Sequence, residues 1–183
     1  MPSASDNAAP VGDFEALVLQ HHAEIHRYLC RIAARMSEAD DLSQETFLRA
    51  YRAWAGLRPD TNRRAWLYTI ATNVYRNHLR SERRRRVAHA TVRTTRCEID
   101  LGGPEAEAVA RQAGAVTEAA IRGLPLKQRL AFNLRKLEEL DYETIGKSLG
   151  CSAESARVHV FQALRKIRTA LDGHASRPMR RTS

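Results

Sequence analysis

Every apolar stripe in this chain recurs at helical spacing, and no segment alternates apolar and polar residues as a half-buried strand would. Phe14, Val18, His21, Ile25, Tyr28, Leu29 and Ile32 predict a helix from about Asp13 to Met36, and Leu67, Ile70, Ala71 and Val74 another from Arg63 to Arg86. Between them, Ser37–Trp54 forms a second helix that is followed by the loop residues Gly56, Pro59, Asp60 and Asn62. From Val87 to Gly103 the periodicity vanishes into a stretch rich in threonine and arginine. It returns at Pro104 with Val109, Ala113, Val116, Ala120 and Ile121, and then with Leu126, Leu130, Leu134 and Leu137. The expected fold is therefore all-α, with two small helical domains, 13–86 and 104–171, joined by a flexible linker at 87–103. Residues 1–12 and the basic tail 172–183 carry no apolar stripe and are expected to be disordered.

The second helix has two faces. Phe47, Ala50, Tyr51 and Trp54 fall at i, i+3, i+4 and i+7 and predict its core stripe. Nearly opposite, at the same spacing, lie Asp41, Gln44, Glu45 and Leu48. Two readings stand at this point. Single exposed leucines are ordinary, and Ser37 with Asp40 resembles a capping box whose acids favour the positive end of a helix. Alternatively, a leucine set among acids is a docking face that a partner protein buries.

Charge narrows the partner class. With 30 Lys and Arg against 21 Asp and Glu, the formal charge is +9, which draws the chain to polyanions such as nucleic acid or an acidic membrane surface. No apolar run approaches the roughly 18 residues of a membrane span, and the N-terminus lacks the basic-then-apolar order of a signal peptide. A cytosolic protein without stable membrane insertion is expected. Cys30, Cys97 and Cys151 are odd in number and in no CxxC pattern, so no disulfide framework or zinc knuckle is indicated. His22, His26 and Cys30 recur every fourth residue; flanking a core stripe is the commoner reason for that pattern, and metal ligation the rarer one.

Residues 141–171 read helix, tight turn, longer helix. Asp141 suits an N-cap, Ile145 and Leu149 face inward, Gly150 can end the first helix in the left-handed conformation, and Ser152 can cap the second. Ala156, Val160, Ala163, Leu164, Ile167 and Leu171 are the expected buried face of the longer helix. Its outer surface then presents Ser155, Arg157, Val158, His159, Phe161, Gln162 and Arg165, a set suited to the DNA major groove: His159 and Gln162 for hydrogen bonds to base edges, Val158 and Phe161 for thymine methyls, and the arginines for bases or phosphates. A plain three-helix bundle with a solvated basic face is the bland alternative, which gives no reason for outward Val158 and Phe161.

A second nucleic-acid surface follows from the third helix, whose outward stripe is Asn73, Arg76, Asn77, Arg80 and Arg84, with four consecutive arginines from Arg83 to Arg86. Trp66 and Tyr68, beside the loop GLRPDTNRR, are candidates to stack on unpaired bases or to support a pocket for one, with a core role as the alternative for Trp66. No phosphate-cradling glycine loop, nucleophile–base pair or metal-binding carboxylate set is evident, so neither enzymatic activity nor a cofactor or metal is expected.

Together, ADDLSQETFLRAYRAW, RAWLYTIATNVYRNHLRSERRRR and LPLKQRLAFNLRKLEELDYETIGKSLGCSAESARVHVFQALRKI closely resemble the bacterial extracytoplasmic-function (ECF, group IV) sigma factors, over nearly everything from Phe14 to Leu171. The resemblance implies a sigma region 2 at 13–86 and a region 4 at 104–171. It implies that Asp41, Gln44, Glu45, Leu48 and Arg52 meet the β′ subunit of core RNA polymerase, with β also a partner. It implies that Asn62, Arg63, Trp66, Asn73, Arg76, Asn77, Arg80 and Arg84 serve recognition and melting of the minus-ten promoter element. The helix-turn-helix would read the minus-thirty-five element as duplex, and the linker would lie in the RNA exit path. Control by an anti-sigma factor, with the protein held at the membrane or on the nucleoid in holoenzyme, is part of the same expectation. Ala156, His159 and Gln162 depart from the family's usual residues, so no particular promoter sequence is carried over. An autonomous helix-turn-helix regulator, dimeric on a palindrome, is the leading rival.

Overall fold

The computed structural model describes residues 11–88 and 106–175. Seven helices occupy them: α1 (Val11–Ile32), α2 (Met36–Trp54), α3 (Arg63–Ala88), α4 (Ala106–Arg122), α5 (Leu126–Lys136), α6 (Tyr142–Leu149) and α7 (Ala153–Ala175). Helices α1–α3 belong to one compact unit and α4–α7 to another. The expected all-α, two-domain fold is the one observed. Its boundaries shift by a few residues: α1 ends before a bend at 33–35, α3 continues through Ala88, and α7 carries helix past Asp172 into the expected tail. The remainder of the linker, Cys97 and residues 1–10 lie outside the described residues.

In the first unit each helix packs on the other two. Ile25, Tyr28 and Leu29 of α1 meet Ala39 and Leu42 of α2 and Leu67, Tyr68 and Ala71 of α3 in a core closed to solvent. The Tyr28 and Tyr68 rings cross edge to face at 5.3 Å, an arrangement favoured by their quadrupoles. Tyr68 is therefore core: of its two expected roles, stacking on a base is closed to it and support from below is not.

Helix α2 buries Ala50 and Trp54 of its expected core stripe but is turned away from the core at Phe47 and Tyr51. Its buried face is Ala39, Leu42, Ser43, Thr46, Ala50 and Trp54, while Tyr51 is 52% exposed and Phe47 half-buried. Small residues allow close approach by α1 and α3, and Thr46 removes its hydroxyl from the polar ledger by donating to the Leu42 carbonyl at 2.7 Å. The start differs as well. Arg35, in extended conformation, occupies the N-cap without a side-chain bond, and Glu38 reaches back to accept from the Ala34 N–H at 3.1 Å. Asp40 instead meets His26 of α1 at 2.7 Å, so the Ser37–Asp40 capping box does not form.

In the second unit α7 is the hub on which α4, α5 and α6 all pack. Leu130, Leu134, Ile145, Leu149, Ala156, Val160 and Ala163 form its centre, and Leu124, Ala163 and Ile167 close against Ala120 and Ile121 of α4. Two expected core leucines are not core: Leu137 is 47% exposed, since α5 ends one residue before it, and Leu164 lies at the solvent margin of α7.

The turn between α6 and α7 forms as its residues dictate. Asp141 accepts from the Thr144 N–H at 2.8 Å, Gly150 adopts φ 62°, and Ser152 accepts from the Ser155 N–H at 3.1 Å. Gly146 is required by proximity: a Cβ there would lie 2.7 Å from the Cys151 carbonyl oxygen and 3.1 Å from the Ala153 nitrogen. Only a residue without a side chain lets α6 cross the start of α7 this closely.

Candidate nucleic-acid interface and docking groove

The outward turn of α2 at Phe47 and Tyr51 creates an apolar surface that the sequence reading had assigned partly to the core. Phe14 of α1 with Gln44, Phe47, Leu48 and Tyr51 of α2 lines an open groove of about 380 Å³. Leu48 is 51% exposed, and Tyr51 stands edge-on to Phe14 at 5.3 Å. His22, itself exposed, stacks on Phe47 at 5.5 Å. Asp41, Gln44 and Arg52 are exposed alongside it, whereas Glu45 is half-buried and accepts from Arg49 Nε at 2.6 Å. An apolar floor with a polar rim is the composition of a protein-binding patch.

Along the expected stripe of α3, Asn77, Arg80 and Arg84 are exposed and Asn73 and Arg76 half-buried, and the stripe is internally bonded. Arg76 donates to Asn73 at 3.4 Å and Arg80 to Asn77 at 3.5 Å, so each arginine is paired with an amide one turn earlier on the same face. Arg83, Arg84 and Arg85 are exposed beyond them, and the Arg86 side chain lies outside the described residues. At the other end, Asn62 caps α3, accepting from the Ala65 N–H at 3.0 Å. This engages its carbonyl oxygen and leaves its NH₂ for a ligand.

Arg63 lies over the Trp54 ring at 4.9 Å, and Trp54 and half-buried Trp66 meet at 6.3 Å. Trp54 thus organises both predicted residues, a role invisible in sequence because it joins the end of α2 to the start of α3. A flat guanidinium held over an indole beside a second indole is a surface on which a base can stack.

On α7, Ser155, Arg157, Val158, Phe161 and Arg165 are exposed, with Phe161 at 63%. Tyr142 of α6 lies under both Arg157, at 5.2 Å, and Arg135 of α5, at 4.9 Å, so one ring holds two guanidiniums. His159 and Gln162 are half-buried. Burial, followed by the charge of Lys127, lowers the His159 pKa below the ordinary histidine value and so favours the neutral ring, which can both donate and accept. Gln162 Oε1 accepts from Gln128 Nε2 of α5 at 2.7 Å, a contact the sequence reading missed.

His22, His26 and Cys30 are neighbours on one face of α1, with Cys30 Sγ 3.7 Å from His26 Nδ1, but each is engaged otherwise than as a ligand. His22 and His26 stack with ring centroids 6.0 Å apart, His26 bonds Asp40, and Cys30 donates to the Met36 sulfur at 3.4 Å. Among the described residues no cluster of three or more His, Cys, Asp or Glu is arranged to hold a metal, and no helix is long and apolar enough to cross a membrane.

Residues 17–85 match the family model of Sigma-70 region 2, and residues 116–167 that of Sigma-70, region 4. The RNA polymerase sigma-H factor of Pseudomonas aeruginosa is 33% identical over 166 residues, covering 86% of either chain. The ECF RNA polymerase sigma factor SigE of Mycolicibacterium smegmatis is 30% identical, over 94% of this chain and 67% of its own. The chain belongs to the ECF RNA polymerase sigma factors. This sigma factor shares its fold with the sigma factor RpoE of Bartonella quintana, solved in complex with the anti-sigma factor NepR, at a TM-score of 0.75 and 21% identity over 88% of this chain and 98% of that one. It is similar also to CnrH in complex with the cytosolic domain of CnrY, at a TM-score of 0.66 and 21% identity over 91% and 92%. As a sigma factor it is a non-enzymatic subunit that joins RNA polymerase for transcription initiation, with a DNA-binding helix-turn-helix in region 4.

Proposed function

We propose that the α2 groove is where this sigma factor docks on the β′ subunit of core polymerase, with Leu48 and Tyr51 as anchors and Asp41, Gln44, Glu45 and Arg52 at the rim. The observation that carries this reading is the exposure of Leu48 and Tyr51 over a floor of Phe14 and Phe47, on a helix whose core face is already complete without them. Burial of such a patch is worth about 25 cal/mol per Å² removed from water. Helix α3, with Asn62, Arg63, Trp66, Asn73, Arg76, Asn77, Arg80 and Arg84, binds and separates the minus-ten element. Helix α7, through Ser155, Arg157, Val158, His159, Phe161, Gln162 and Arg165, reads the minus-thirty-five duplex. Joining two such sites in one chain makes the second contact effectively intramolecular, so each domain can bind weakly alone.

The factor acts in the cytoplasm on the nucleoid when in holoenzyme, also touching the β subunit, and an anti-sigma protein holds it inactive, at the membrane where that protein is anchored. Relatives of the same fold solved with such partners support this regulation. The test is reconstitution with core polymerase on a promoter library. Specific transcripts that need both proteins are expected; tight dimeric binding to a palindrome without polymerase would favour an autonomous regulator instead.

A further inference from the structure

Gln128 is 9% exposed, on the third residue of α5, 34 positions from Gln162. Its Nε2 donates to Gln162 Oε1 at 2.7 Å, while its own Oε1 is buried without a partner. Turning the Gln128 amide over would bury an NH₂ in place of that lone carbonyl. Leaving donors unpaired costs more than under-satisfying an acceptor, so the observed orientation is the favoured one. The consequence falls on Gln162. A glutamine that reads adenine needs its Oε1 to accept from N6 while Nε2 donates to N7. Here Oε1 is engaged by α5, and the NH₂ is the part of the amide left for another partner.

From this contact we infer that Gln128 is a specificity-positioning residue: it fixes the Gln162 amide so that α7 offers DNA a hydrogen-bond donor at this position and selects a base whose edge carries acceptors only, guanine (O6, N7) or thymine (O4), over cytosine, which has none, and adenine, whose N7 stands beside the N6 donor. The inference rests on the reading that α7 enters the major groove of the minus-thirty-five element. Gln128 never touches DNA; it acts through Gln162. Its neighbour Lys127 is exposed and supplies only sequence-independent attraction.

Substituting Gln128→Glu reverses the polarity without changing the shape. A carboxylate only accepts, so Gln162 must rotate, donate Nε2 inward and present Oε1 to the groove. Selection from a duplex library randomised across the minus-thirty-five element, with full-length holoenzyme at pH 8, reads the outcome. The wild type is expected to prefer guanine or thymine at one position, and Gln128→Glu to shift that position toward adenine or cytosine, whose N6 and N4 amino groups donate. One neutral hydrogen bond sets the scale of the shift, about three- to tenfold. Gln128→Met, which cannot hold the amide, is expected to flatten the preference at that position alone. An unchanged preference with both variants, or uniform weakening across all sequences, overturns the inference. A wild type with no base preference anywhere in the element, or one that Arg157→Ala and Phe161→Ala leave intact, overturns the underlying reading of α7 instead.

Discussion

The Tyr28 phenol lies 2.8 Å from the Thr72 hydroxyl in the closed core of region 2, joining α1 to α3. Thr72 spends its single proton on the Tyr68 carbonyl at 2.7 Å, so Tyr28 must be the donor between the two. Tyr28→Phe leaves the Thr72 hydroxyl satisfied as a donor and is expected to cost about 1 kcal/mol. Tyr28→Phe and Thr72→Val together should cost less than the sum of the single changes, because they remove one shared bond. Urea unfolding of the four proteins measures this coupling, and strict additivity would show that the bond contributes nothing.

A pH dependence is expected at the start of α6. The backbone N–H of Thr144, aided by its hydroxyl, holds the Asp141 carboxyl below its ordinary range against a smaller opposing effect of burial. The folded pKa is depressed, so the stabilisation is fully present above the unfolded value near 3.8 and is lost as pH falls through the lower folded value. Asp141→Asn keeps the cap and should remove this part of the acid sensitivity, while Asp141→Ala should cost about 1 kcal/mol at neutral pH. Thermal melts from pH 7 to about pH 2 separate the two variants.

The helix-turn-helix should fail selectively when its crossing point is filled. Gly146→Ala sets a methyl against backbone atoms of the turn, which cannot rotate aside, and is expected to destabilise region 4 by about 1–3 kcal/mol. Hydrogen exchange should quicken in α5–α7 and stay unchanged in α1–α3. Equal effects in both units would contradict a local origin.

Tyr142 is expected to set how firmly Arg157 is presented. Tyr142→Leu removes the ring beneath both Arg157 and Arg135. A cation–π contact at an exposed site is worth about 0.5–1 kcal/mol, so promoter affinity should fall about two- to fivefold while Tyr142→Phe stays near wild type. Filter binding of holoenzyme to promoter DNA checks both.

How much of this was legible in sequence depended on how local the signal was. Asp141, Gly150 and Ser152 announce the α6–α7 turn because capping chemistry acts within three residues. The face of α2 is legible only in part: Ala50 and Trp54 are core as their spacing predicts, but Ala39, Ser43 and Thr46, which complete that side with Leu42, are small or hydroxylated residues that hydrophobic spacing does not register, while the bulky Phe47 and Tyr51 line the outer groove. The stacking role of Tyr68 fails for the converse reason: a phenol near a basic loop looks available until the Tyr28 ring is found across it. Neither the Trp54–Arg63 stack nor the Gln128–Gln162 bond has any periodic signature, since each joins separate helices. Leu48, by contrast, stood out among its acids and is exposed as its setting suggested.

The central claim is that the exposed side of α2 is the attachment point for polymerase, and competition for core enzyme tests it most directly. Labelled wild-type protein is displaced from core polymerase by unlabelled wild type, by Leu48→Asp, or by Leu19→Asp, which places the same charge at an 85% exposed leucine of α1 outside the groove. A charge buried without a partner costs several kcal/mol, so Leu48→Asp should compete at least tenfold more weakly with an unchanged melting temperature, and Leu19→Asp should match the wild type. Equal competition by Leu48→Asp and wild type would contradict the account.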